Sequence, residues 1–313
     1  VAQRVGLLGL GIMGSAYAGH LIGAGFATSG FDVDAGALRA FESAGGRAVP
    51  DARALAREAD VVISALPSVG AVDDAFFGAN GLVAGAADAT GASTAADAAG
   101  AGHAALVVVE ASTLPLAVKE RIRAALAAAG AAVLDAPVSG TGSQARAKDL
   151  AVYASGERAA YDRVEAVLGA LARSVRYVGA FGAGSKLKFI ANLLVTIHNL
   201  STAEAVVLAQ KAGLDAAEMI EIVGDGAGAS RMLAVRGPMM AAGSYGDASM
   251  KLDVYQKDID IIADFARDVG APTPLFSQSA VFYTAALAQG RGKQDTAAIA
   301  SVLKTMAGLA ADP

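Results

Sequence analysis

A lysine and an asparagine four residues apart, Lys188 and Asn192, stand near the start of a long apolar stretch. In a helix that spacing puts both on one face, which Val195 and Asn199 extend. A lysine whose pKa is lowered by burial or by a neighbouring cation can take the proton of a hydroxyl group and return it in the reverse reaction. Lys186 and Lys257 are the candidate cationic neighbours. A solvated lysine at a helix end is the commonest fate of this residue type, and the residues alone leave both readings open. Oxidising an alcohol also needs a hydride acceptor, and the other end of the chain carries the means to hold one. Gly9-Leu10-Gly11-Ile12-Met13-Gly14 lies between an apolar run at 4–8 and a stretch of helical spacing at 13–24. Gly9 permits the tight turn, Gly11 lets the backbone approach a pyrophosphate, and Gly14 lets helix and strand pack closely. The phosphates then face free N–H groups and the positive end of the helix dipole. All six residues are candidate contacts of a nicotinamide dinucleotide.

Asp32 follows the next strand candidate, 27–31. A carboxylate there accepts hydrogen bonds from the adenosine ribose and repels a 2′-phosphate. The residues after it, Val33-Asp34-Ala35, bring no arginine to offset that repulsion, so NAD rather than NADP is expected. Asp34 is the better cap for the following helix, which leaves Asp32 for the ribose. Leu66-Pro67-Ser68 and Ser112-Thr113 stand at the C-terminal ends of two further strand candidates, the edge where open α/β sheets bind ligands. Leu66, Pro67 and Thr113 are thus candidate contacts of the nicotinamide half, although serine and threonine also cap helices at such places. Ser139-Gly140 comes after Asp135-Ala-Pro-Val138, either as an anion-binding nest of backbone N–H groups or as a simple turn. His198 lies about 80° around the helix from Lys188 and is read as a core histidine. Arg231 either pairs with a substrate carboxylate or holds helices together, and the residues do not separate the two.

These groups need elements to position them. Apolar runs at 4–8, 61–65, 105–109, 133–136 and 150–154 read as strands, and 27–31 as a further one. Helical spacing at 13–24, 34–44 and 115–129 alternates with them, which means βαβ units and a mostly parallel sheet. Residues 84–104, rich in Ala, Gly, Asp, Ser and Thr, read as a loose helix and loop. Beyond Gly184 no convincing strand follows. Helical stretches at 185–212, 216–223, 253–269, 274–288 and 296–306 are punctuated by Gly213, Gly270, Pro272 and Gly290. The expected fold is α/β: a Rossmann-type, doubly wound parallel sheet at 1–182, then an all-α domain at 183–313, joined by a long interdomain helix.

Composition narrows the function classes. The 313 residues include no cysteine, which excludes disulfides, thiolate catalysis and cysteine metal sites. Only His20, His103 and His198 remain as histidines, widely spaced, so no metal site is expected. A net charge of −5 argues against a nucleic-acid partner. The most apolar long segment, 187–209, is interrupted by Lys188, Asn192, His198, Asn199 and Glu204, so it reads as a buried helix rather than a membrane span. With the first strand about four residues in, no leader is expected, and the expected location is the cytoplasm. The helical domain, with Met232, Met239 and Met240, is expected to form a homodimer or homotetramer interface.

Taken together, Gly9-Leu-Gly-Ile-Met-Gly14, Leu66-Pro67, Asp135-Ala-Pro-Val-Ser-Gly140, Gly182-Ala-Gly-Ser-Lys-Leu-Lys188 with Asn192, and Lys257-Asp258 resemble the β-hydroxyacid dehydrogenases. That family holds 3-hydroxyisobutyrate dehydrogenase, tartronate semialdehyde reductase and L-threonate dehydrogenase. The similarity runs essentially end to end, and Gly226-Ala-Gly-Ala-Ser-Arg231 looks most similar to the L-threonate dehydrogenase-like members. The resemblance implies that Lys188 is the catalytic lysine and that Asn192 helps hold the substrate. It also implies that Ser139, Gly140 and the adjoining Thr141 bind the carboxylate, and that Lys257 lies near cofactor and substrate. The implied substrate is a small carboxylate, a β-hydroxyacid interconverted with its semialdehyde or keto acid. The chain departs from the pattern in three places. Thr141 stands where a second glycine is usual, Ala191 replaces a frequent asparagine, and Glu110-Ala-Ser-Thr113 has one residue fewer before Pro115. The alternatives are an imine reductase on the same architecture, whose members usually carry another residue at position 188, and a non-catalytic dinucleotide-binding protein. A 6-phosphogluconate dehydrogenase would need a longer helical domain.

Overall fold

The computed structural model of the chain describes residues 3–97, 105–310 and 312. It divides into two compact units, Val1–Lys188 and Phe189–Pro313. The first alternates strands and helices in the order β1 (Arg4–Leu8), α1 (Ile12–Gly23), β2 (Ala27–Phe31), α2 (Ala35–Ser43), β3 (Arg47–Ala48), α3 (Ala52–Glu58) and β4 (Val61–Ser64). Then come α4 (Val69–Val72) with a π-helical turn at Asp73–Phe77, α5 (Leu82–Asp97), β5 (Val107–Glu110), α6 (Leu116–Ala128) and β6 (Ala132–Asp135). Six strands form one all-parallel sheet in the order β3-β2-β1-β4-β5-β6. The strand order reverses between β1 and β4, and at such a switch point a crevice opens outside the C-terminal strand ends.

Side chains along each strand alternate between two cores, as a period of two demands. Val5, Leu7, Val61, Ile63, Val107, Val109 and Leu134 pack on one face with Tyr17 and Leu21 of α1. Leu8, Val62, Val108 and Val133 pack on the other with Leu55, Phe76, Ile122 and Leu126. Burial on both faces is why these strands read as continuous apolar runs.

The expectation of one sheet needs correction beyond β6. A second sheet of three strands follows, with β7 (Val138–Ser139) antiparallel to β8 (Ala151–Ala154) and β9 (Ser174–Tyr177) parallel to β8. Between β7 and β8 lies α7 (Gly142–Arg146), and between β8 and β9 lies α8 (Arg158–Leu171). The run at 150–154 therefore belongs to the second sheet. β3 and β7 are two residues long and β9 is only half-buried, so none of them shows as an apolar run. The segment read as a loose helix and loop, 84–104, is helical as far as Asp97; its remainder, with His103, lies outside the described residues.

α9 (Ala183–Lys211) is 29 residues long. The expected boundary at 182/183 falls just before it, whereas the compact units divide inside it, between Lys188 and Phe189. By length and hydropathy α9 is apolar enough to cross a membrane. Its polar residues Asn192, Thr196 and Asn199 are nonetheless buried and hydrogen-bonded within the second unit, as in an interior helix. That unit continues with α10 (Ala216–Gly224), α11 (Arg231–Ala242), α12 (Leu252–Asp268), α13 (Pro274–Ala288), a 3-10 turn at Thr296–Ala298 and α14 (Ile299–Met306). Among its described residues no strand is found, only the isolated bridge between Lys251 and Asp295.

The sequence reading contains no α11. Pro238 sits inside it, and proline in a helix interior removes one backbone bond and argues against a helix. Ser230 caps its start by accepting from the Leu233 amide at 3.0 Å. Met232 and Met240, expected at an interface between copies, are turned into the core of their own unit, and Met239 is half-buried.

The same helix carries Arg236, whose Nε donates to the buried Asp295 carboxylate at 3.1 Å. Asp295 also accepts from the amides of Ala297, Ser249 and Met250 and from the Ser249 hydroxyl. Burial alone would raise this carboxyl, but the Arg236 guanidinium and these donors outweigh it and hold it below its ordinary value. A depressed folded-state pKa adds stability that is complete above the unfolded-state value and is lost as pH falls through the folded one. Asp295→Ala is expected to destabilise the protein by about 3–5 kcal/mol, because it leaves a buried guanidinium unpaired. Urea denaturation at pH 7 checks this. Asp295→Asn should also flatten the loss of stability below pH 4.

Candidate active site

The glycine loop is built for an anion. No side chain caps α1, and Gly11 and Ile12 at its start are exposed. A Cβ on Gly11 would meet nothing within 4 Å, so space stands open before the helix N-terminus. The other two glycines serve packing instead. Gly9 has φ +93°, and a Cβ there would come within 2.6 Å of the Ala65 carbonyl oxygen. A Cβ on Gly14 would overlap the carbonyl oxygen of Gly9. An uncapped helix end facing open space fits a pyrophosphate.

Asp32 does more than the sequence reading assigned to it. Its Oδ2 accepts from the Leu10 amide at 2.6 Å and its Oδ1 from the Asp34 amide at 2.8 Å. It thus fixes the glycine loop from the tip of β2. Each carboxylate oxygen can accept a further bond, which leaves capacity for ribose hydroxyls. Asp34 caps α2 as expected, accepting from the Gly36 amide at 2.6 Å. Ser68 is likewise a cap, for α4. Ser112 does not point to a ligand: its hydroxyl is buried and accepts from the Leu66 amide at 2.9 Å. Leu66 and Thr113 are half-buried and Pro67 is exposed at the C-terminal sheet edge.

Ser139 ends β7, and Gly140 follows with φ +143°. A Cβ on Gly140 would lie 2.5 Å from Leu150. Thr141, where a second glycine was expected, is the N-cap of α7. Its hydroxyl accepts from the Gln144 amide while the Gln144 side chain accepts from the Thr141 amide at 3.0 Å. This capping box gives the departure from the pattern a structural reason. Gly142, which sequence reading passed over, lets Ile12 of the glycine loop rest against the backbone; a Cβ there would overlap the Ile12 side chain. The two loops are thereby packed together.

Behind this edge lies a polar cluster that sequence reading also missed. Glu110 and Asp135 are register partners at the ends of β5 and β6, and both are fully buried. The Lys119 ammonium of α6 lies between them, 2.8 Å from Glu110 Oε2 and 2.7 Å from Asp135 Oδ1. Burial by itself would lower the Lys119 pKa, but the two carboxylates outweigh it and raise it. Asp135 in turn accepts from the Ser185 hydroxyl and the Ser185 amide, each at 2.8 Å. The Ser155 hydroxyl accepts from the Gly184 amide at 3.0 Å. These bonds satisfy the first amides of α9, and Lys188 stands three residues on, with 9% of its surface exposed. A signal existed: Lys119, Ile122 and Leu126 recur at helical spacing, and all three are buried.

In the second unit Asn192 donates from Nδ2 to Asp258 Oδ2 at 2.9 Å, and the Lys257 ammonium pairs with Asp258 Oδ1 at 3.1 Å. Asp258 therefore orients Asn192, and it brings together the two positions expected to serve substrate and cofactor. Asn199, read as part of the Lys188 face, is instead tied into the core by donating to Tyr283 and to the Thr296 carbonyl. His198 is half-buried and Arg231 is exposed at the start of α11.

Residues 4–179 match the family described as the NAD binding domain of 6-phosphogluconate dehydrogenase. Residues 182–303 match the one described as NAD-binding of NADP-dependent 3-hydroxyisobutyrate dehydrogenase. L-threonate dehydrogenase of Cupriavidus necator is 31% identical over 96% of this chain and 96% of its own. The crystal structure of a 3-hydroxyisobutyrate dehydrogenase from Salmonella typhimurium is 31% identical, with a TM-score of 0.82 over 96% of this chain and 99% of that one. An imine reductase from Streptomyces aurantiacus stands further off. At 22% identity and a TM-score of 0.61, over 97% of this chain and 99% of that one, it shares the fold alone.

Proposed function

The chain belongs to the β-hydroxyacid dehydrogenases, and from that membership we propose that it oxidises a small β-hydroxyacid of the L-threonate class with NAD, Lys188 acting as general base. One observation carries the reading. Lys188 is nine-tenths buried in the first turns of α9, whose starting amides are held by Asp135 and Ser155 at the dinucleotide-binding edge of the sheet. The chemistry that the dinucleotide supplies when bound is hydride exchange at its nicotinamide ring. The glycine loop would hold its pyrophosphate, and Asp32 its adenosine ribose. In oxidation the Lys188 amine takes the hydroxyl proton; in reduction the ammonium returns it. Ser139 and Gly140 hold the substrate carboxylate, and Asn192, oriented by Asp258, holds the polar groups beside it. The Asp32 carboxylate at the ribose position supports NAD over NADP.

The test is a panel of L-threonate, 3-hydroxyisobutyrate and glycerate with each dinucleotide, followed by absorbance of the reduced cofactor. Turnover is expected with at least one acid, with kcat/KM for NAD exceeding that for NADP by about tenfold or more, the cost of a charge left facing a like charge. Silence across the panel, together with reduction of a cyclic imine, would overturn the reading. A preference for NADP would remove Asp32 from the ribose.

A further inference from the structure

We propose that Lys119, acting through Asp135 and Ser185, is a positioning residue that sets where the Lys188 amine stands relative to the strand ends. The inference rests on Lys188 being the acid–base group.

The geometry is a continuous relay. The Leu66 amide donates to Ser112, and the Ser112 amide donates to Glu110 Oε1 at 3.1 Å. Glu110 and Asp135 share the Lys119 ammonium, and Asp135 accepts both the hydroxyl and the amide of Ser185. One end of the relay is the strand-end loop read as a nicotinamide contact. The other is the turn of α9 that precedes Lys188. Glu110, Lys119 and Asp135 are fully buried, and Ser112 and Ser185 nearly so.

Two features argue that this is more than an internal ion pair. The backbone at the start of α9 is pressed against the strands: a Cβ on Gly184 would overlap the Tyr153 carbonyl oxygen and lie 2.9 Å from that of Asp135. Small shifts of the turn are therefore blocked on one side and tied on the other. Moreover, Asp135 puts both oxygens on one residue of the helix, and two bonds fix an orientation where one would leave a pivot. Without the Lys119 ammonium, register-paired carboxylates on adjacent strands would repel, and the group that anchors Ser185 would turn away or take up a proton. Lys119 touches neither reacting atoms nor cofactor loop, so any effect on the proton transfer passes through Asp135 and Ser185 to Lys188. A displacement of about 1 Å at a reacting group can cost on the order of a hundredfold in rate.

The experiment compares Ser185→Ala, Ser185→Thr and Lys119→Met in the full chain. Ser185→Ala is expected to lower kcat about tenfold, part of that range, with the dissociation constant for NAD unchanged in a fluorescence titration. Ser185→Thr, which keeps the hydroxyl, should restore most of the loss. Lys119→Met should lower kcat at least as far as Ser185→Ala, and the double variant should lose less than the two effects multiplied. Without any cofactor, amide hydrogen exchange at 183–188 should quicken in Ser185→Ala and Lys119→Met while that of α1 stays as it was. If exchange quickens and kcat holds, the relay is only structural and the proposal fails. A fall in kcat matched by an equal loss of NAD affinity also overturns it. If Lys119→Met does not fold, the Ser185 pair decides by the same criteria. The exchange arm needs no turnover, so failure of the Lys188 assignment is seen separately, as activity retained in Lys188→Ala.

Discussion

Lys188→Ala should lower kcat by about 10²–10⁴-fold, the range lost with a positioned acid–base group, while NAD still binds. The size follows from what the residue does: in the first turns of α9 the Ser185 hydroxyl is given to Asp135 and Lys186 is exposed, whereas Lys188 is the buried amine. Collateral damage to the fold should be small. Alanine is the best helix former, and Lys188 is not a member of the buried apolar clusters on either face of the sheet. Steady-state rates with the best acid of the panel, alongside an NAD titration, check both halves. Turnover within tenfold of the parent protein would remove Lys188 from the proton transfer, leaving the cofactor assignment intact.

The second large effect concerns the glycine loop, where two neighbouring substitutions should fail in different ways. Gly14→Val forces a side chain into the carbonyl oxygen of Gly9, so α1 must move off β1. That movement opens the core around Tyr17 and Leu21, both essentially inaccessible to water. A loss of at least 1–3 kcal/mol, roughly the cost of overpacking a core, is expected in thermal unfolding, with NAD binding abolished. Gly11→Ala has open space before it and should leave the unfolding temperature unchanged. It should still weaken NAD by about ten- to a hundredfold, since its methyl keeps the pyrophosphate from one or two charge-assisted bonds of about 1.5–3 kcal/mol each. Equal destabilisation by both substitutions would mean that the loop is structural throughout.

The contrast between these glycines shows what a sequence discloses and what it conceals. Spacing located the loop, and burial on both faces made β1, β4, β5 and β6 readable as apolar runs. Asp34 could be recognised as a cap because its partners lie two and three residues away. Lys119 could not, because its partners are nine and sixteen residues away and a charged residue in a helix reads as solvated. Asp258 was visible as part of a motif, but its grip on Asn192 spans 66 residues. Thr141 was read by what it replaced, when its meaning lay in Gln144 three positions later. The polar face of α9 was carried one step too far, because periodicity cannot distinguish a side chain that meets substrate from Asn199, which meets Tyr283. Local chemistry was legible; pairings closed by the fold were not.

The ion triplet of Glu110, Lys119 and Asp135 bears on how this chain can change over generations. Losing either carboxylate leaves Lys119 paired with the other, but losing Lys119 strands both carboxylates away from water, a penalty of about 3–5 kcal/mol, comparable with the whole margin of a modest protein. The three cannot drift independently. Either carboxylate can go first and leave an ion pair, but Lys119 can then be abandoned only together with the carboxylate that remains.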